Sequence, residues 1–222
     1  MYWVDKEFWM SQIDTLQFFA LAAQAQRQNG GFFKVAEGTT PANKTLLRTL
    51  LENNIQAEAE DVVLAQQVID FIKGYTFKQL TGDISDYEKG LLQLASSDSV
   101  DVGEKSLGRF NVGIIASAIN AYNRGVERIK VNERLQETVA GYLGECGAKV
   151  QTKATIQRSV FSQKYFVYFI TAITESNHAV FFSYKSGIKT GTQLELKGSV
   201  KRQADGFQTQ LNRVKILTEI WQ

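Results

Sequence analysis

Residues 149–184 read KVQTKATIQRSVFSQKYFVYFITAITESNHAVFFSY, and this stretch decides the fold. Over Lys149–Gln157, Val150, Thr152, Ala154 and Ile156 alternate with Gln151, Lys153, Thr155 and Gln157, the period of a half-buried strand. Tyr165–Thr174 is apolar on both faces, with Tyr165, Val167 and Phe169 set against Phe166, Tyr168 and Ile170. A turn at Glu175–Asn177 leads to a third strand, His178–Tyr184. Alternation returns over Gln193–Arg202, with Leu194, Leu196 and Val200 on one side, and a fifth strand spans Phe207–Ile216. Asp205-Gly206 is the hairpin signal between these last two, and Gly144, Gly147, Gly187, Gly191 and Gly198 suit sharp corners. Five short strands with such bends predict a five-stranded antiparallel barrel of the oligonucleotide/oligosaccharide-binding (OB) kind, with an SH3-like barrel as the structural alternative.

Upstream of residue 138 the period is helical, so the fold class is α+β: a helical domain over 1–137, ending in a charged linker, then the barrel over 138–222. Helices are expected at Asp5–Gln28, from Thr40-Pro41 to Asn53, at Ala57–Lys73, Ser85–Ala95 and Gly113–Arg124, with a polar loop over Ser96–Arg109. Val126–Thr138 reads as a helical or extended linker. Trp3, Phe8, Trp9, Phe18 and Phe19 make the first helix rich in rings, and core packing is the expected use of them.

Charge is divided unevenly between the parts. Residues 1–137 hold 14 Lys/Arg against 18 Asp/Glu, and residues 138–222 hold 11 against 5. A basic module joined to an acidic one suits a protein of which one half faces a polyanion. Met1–Met10 carries Asp5 and Glu7 and no basic leader, and Cys146 stands alone, so a reducing, cytoplasmic setting without a membrane span is expected.

Catalytic constellations are missing from the pattern. One cysteine and one histidine, Cys146 and His178, cannot make a His/Cys metal site, and a Ser–His or Cys–His pair would depend on a histidine at a turn. Gly187-Ile-Lys-Thr-Gly191 lacks the spacing of a phosphate-binding loop. Glu195-Leu-Lys197 has the acid-x-lysine half of a metal-dependent nuclease but no upstream aspartate, because Asp205 follows it. Asp83, Asp86 and Glu88 fit a helix start, and Asp98, Asp101 and Glu104 lack calcium-loop spacing. Asn43-Lys-Thr45 is a formal glycosylation sequon that a cytoplasmic chain would not use. Neither enzyme activity nor a cofactor is expected.

What remains is a surface. Strand two has more rings than a small barrel interior can bury, so either Phe166 and Tyr168 or Tyr165 and Phe169 point outward. Phe166, Tyr168 and Phe181 are taken as the stacking rings, with Lys153, Arg158, Lys164, Lys185, Lys189, Lys201 and Arg202 tracking phosphates. The competing reading packs one aromatic face of strand two against the helices.

The segments GYLGECGAKV and LKGSVKRQADGFQTQLNRVKI carry a likeness. Gly144 and Gly147, then Leu196, Gly198, Val200 and Lys201, then Gln208, Thr209, Leu211 and Arg213 resemble a module of bacteriophage replication proteins. Over about the last 80 residues, the resemblance implies an OB-fold that coats single-stranded DNA in replication or recombination, with RNA the alternative ligand. Many such proteins recruit partners through an acidic tail, whereas this sequence closes on KILTEIWQ. Contacts with phage or host replication or transcription proteins, or self-association into a homo-oligomer, would then fall to the helical part. A phage accessory or adaptor protein that binds a polymerase or another protein partner through the barrel or the helical domain is the alternative function.

Overall fold

Helix α1, Thr15–Gln28, is buried along almost its whole middle: Phe18 to Ala25 lie within the core without a break. A helix apolar on every side must be surrounded, and α1 packs against α2 (Asn43–Glu52) and α3 (Ala59–Lys73). A computed structural model of the chain describes residues 12–103, 106–203 and 208–220. The expected ring positions Trp3, Phe8 and Trp9, the residues Glu104, Asp205, Gly206 and Phe207, and Trp221 lie outside these.

The chain divides into two compact units, Met1–Val126 and Glu127–Gln222. In the first, α4 (Tyr75–Thr81), α5 (Asp86–Ala95) and α6 (Ser106–Ile115) follow α3, and α7 (Ala118–Gln136) begins there and runs ten residues into the second. Two short strands that the period did not announce, β1 (Gln12–Asp14) and β2 (Ser99–Asp101), pair antiparallel and place Ile13 opposite Val100. Val126–Thr138 is helical nearly throughout. Ser85 caps α5 in a reciprocal box with Glu88, as the acid-rich start suggested. The second helix starts at Asn43 rather than at Pro41, because Asn43 turns inward and joins Gly31 O, Phe33 N and Asn29 Nδ2. Fully buried, that amide is no glycosylation site.

The second unit holds β3 (Lys149–Ser162), β4 (Val167–Thr174), β5 (Ala179–Tyr184), β6 (Gln193–Gln203) and β7 (Thr209–Ile220), closed in the order β3-β4-β5-β7-β6. The expected all-antiparallel pairing is corrected here: β5 and β7 run parallel, so this OB-like barrel is mixed. Geometry requires it. Strand directions cannot alternate all the way round a closed ring of five, so at least one pair must agree in direction. β3 is longer than expected and bulges at Gln157, which lets its first half pair with β6 and its second half with β4. Inside lie Ala154, Ile156, Ile170, Ala172, Val180, Phe182, Leu194, Leu196, Val200 and Leu211, a core separate from that of the helices. None of the described helices is long and apolar enough to cross a membrane.

Candidate nucleic-acid interface

Register, rather than proximity in sequence, assembles the outer surface of the barrel. Arg158 on β3 pairs with Thr171 on β4, Thr171 with Phe181 on β5, Phe181 with Gln210 on β7, and Gln210 with Arg202 on β6. Cross-strand partners share a face, and the neighbours of these residues, Ile170, Ala172, Val180, Phe182, Thr209 and Leu211, are all buried. The row therefore runs over the outside, perpendicular to the strands, with a guanidinium at each end and a ring in the middle. At about 4.8 Å per strand step it is roughly 20 Å long measured along the surface.

Rings extend this row along β4. Phe169 and Phe181 are adjacent, with centroids 5.7 Å apart and planes inclined at 32°. Tyr165 meets Phe169 edge-on at 5.9 Å, and Lys164 Nζ stands 5.2 Å from the Tyr165 centroid. Tyr165 and Phe166 belong to the β3–β4 turn rather than to the strand. Phe166 is 80 % exposed and holds φ at +52°, a left-handed conformation that is costly for a bulky side chain. Its amide donates to Ser162 O at 2.8 Å.

Tyr168 is corrected. It faces inward with Ile170 and packs on the barrel core, under Phe161 at 5.1 Å. Room for the ring comes from Ala172 further along the same face and from Gly187, which has no side chain to intrude. The outward ring on strand two is thus Phe169, while Tyr165 and Phe166 are both exposed in the turn before it. The signal was present in the sequence: Ala172 and Thr174 share the parity of Tyr168, and small residues are what a narrow interior takes. Gln210 was missed altogether, since nothing in its own segment places it beside Phe181.

The remaining expected cations scatter. Lys153 is exposed on the outer side of β3, and beside it a groove of about 560 Å³ opens, lined by Arg134, Thr155, Gln157, Ile173 and Glu175 among others. Arg134 Nη1 donates to Gln157 Oε1 at 3.1 Å, tying the end of α7 to the bulge. Lys185 and Lys189 are exposed in the β5–β6 connection, and Lys201 is exposed at the β6 bulge next to Arg202. Among the described residues every ion pair falls in the helical unit: Arg27 with Glu58, Glu60 and Asp61, Lys78 with Glu88, and Lys89 with Asp86. The barrel cations have none among the described residues, which leaves their charge available to a polyanion.

Glu58, Glu60 and Asp61 converge closely enough to hold an ion, but the Arg27 guanidinium already fills that position. Hydrogen bonds to Asp61 and then Glu58 hold Arg27 in its charged form still more firmly than usual. His178 Nδ1 meets only Ser176 Oγ at 3.1 Å among the described contacts, and Cys146 is exposed. Comparison with protein-family models, with curated proteins and with solved structures returned no match.

Proposed function

We propose that the protein is a non-enzymatic single-stranded DNA-binding protein whose barrel carries the ligand on the Arg158–Phe181–Arg202 row. The observation that carries this reading is the outward cluster of Tyr165, Phe169 and Phe181 between cations that have no acidic partner among the described residues. Bases stack on such rings at about 1–3 kcal/mol each, whatever their sequence, while the arginines engage phosphate. In an OB-like barrel this is also the face, and these are the flanking turns, that take oligonucleotides. The resemblance of about the last 80 residues to phage replication proteins supports reading that activity as part of DNA replication or recombination.

Titrating labelled oligo-dT with the full chain, at two salt concentrations and beside duplex DNA and oligo-rU, tests the reading. Binding of oligo-dT that weakens steeply with salt and exceeds duplex binding is the expected result. No binding at low salt overturns it.

A further inference from the structure

A second cationic surface lies on the barrel away from the rings. On the outer side of β3, β6 and β7, Gln151 pairs with Lys197 and Lys197 with Lys215, while Lys149 sits diagonally beside Lys197, opposite Ser199. All three lysines are exposed. Like charges directly opposed across a ladder are unfavourable, so the Lys197–Lys215 pair detracts from the stability of the barrel that holds it. Among the described residues one carboxylate is near: Glu195, opposite Lys153, which accepts from Gln151 Nε2 at 2.7 Å. Next to the patch the β6–β7 ladder bulges at Gly198, and Arg213 is exposed there with φ at +50°. A Cβ on Gly198 would stand 3.1 Å from Asn212 O, so the two backbones come close and the bulge is built in.

No ring projects from this surface among the described residues. Among the described residues its outward positions are Gln193, Glu195, Lys197 and Ser199 on β6, with Asn212, Lys215 and Thr218 on β7, beside an exposed Leu217. It can hold phosphates but cannot stack bases. It is also continuous with the row described above, because Arg202 and Lys197 lie on the outer side of the same strand β6.

We infer that Lys149, Lys197 and Lys215 form a phosphate-only extension of the interface, engaging the backbone of a single strand long enough to overrun the ring-lined row. The inference rests on the reading under Proposed function and adds a second contact zone with different chemistry. It predicts two regimes of length. A short strand occupies the rings and the flanking arginines, and a longer one adds the lysines.

The test compares the full chain with a Lys149→Gln/Lys197→Gln/Lys215→Gln variant on oligo-dT of about ten nucleotides, within the about 4–16 that one such barrel covers, and of about thirty, well beyond it. For the long strand, the slope of log affinity against log salt is expected to be shallower in the variant by roughly 2, at about 0.7 per single-strand phosphate contact. For the short strand the two proteins should agree. The melting temperature of the variant should equal or exceed that of the parent, since a repulsion has been removed. Equal salt slopes on the long strand, or an equal loss on both lengths, overturns the extension while leaving the ring-lined site intact. A parent that binds neither strand at low salt refutes the underlying reading instead.

Discussion

Gly187 lies against the ring of Tyr168: a Cβ at position 187 would stand 2.7 Å from Tyr168 Cε1 and 3.1 Å from Cζ. This contact makes room for the Tyr168 ring on the inward, even-numbered face of β4, while Phe169 points to the other side. Gly187→Ala should therefore push the ring from its place. Overpacking of this kind costs about 1–3 kcal/mol, readable as a lowered urea midpoint with unchanged slope. Wild-type stability in that variant would mean that the close approach is not needed.

The two parities of strand two predict opposite phenotypes. Phe169→Ala and Phe181→Ala should each weaken oligo-dT binding by about 1–3 kcal/mol, with only a modest change in melting temperature. Tyr168→Ala should instead destabilise the barrel by about 2–4 kcal/mol, since it empties part of the core. Binding curves and thermal melts on the same three variants separate the two effects.

Phe166 combines strain with exposure. Glycine adopts its backbone conformation freely, so Phe166→Gly should leave stability unchanged or raise it by up to about 1 kcal/mol. Affinity for oligo-dT should fall in the same variant, because the exposed ring is lost. A variant that is both destabilised and binds normally would show that the ring is there for the hairpin and not for the ligand.

In the helical unit, Glu88 links α5 to α4 through Lys78 Nζ at 2.6 Å. Burial pushes its carboxyl up, but the Lys78 ammonium and the hydrogen bonds from Ser85 outweigh this and bring it down to about 2. A carboxyl lowered in the folded state contributes stability that is complete above its unfolded value, about 4.3, and is lost as pH falls toward 2. Because the pair is partly solvated, the contribution is set at about 1 kcal/mol or less. Glu88→Gln should lower stability at pH 7 and lose its difference from the parent near pH 2, as followed by urea unfolding across that range.

Much of the architecture was legible in the sequence. The change from a helical to a two-residue period near residue 140 marks the passage from helices to barrel, and each of the five strands overlaps its expected segment. Val126–Thr138 was ambiguous because its charged residues leave only a weak apolar stripe, and tertiary contact settles such segments. β1 and β2 are three residues each, too short for any period to register.

What the sequence determined by itself is local: which residues alternate, where the cations concentrate, and which catalytic chemistries lack their side chains. The tertiary structure decided which parity of β4 faces inward and which distant residues meet. Alternation fixes what shares a face within one strand, but it is blind to inside and outside when both faces are apolar. Only closure and register, which act between strands far apart in the chain, bring Arg158, Phe181 and Arg202 into one row.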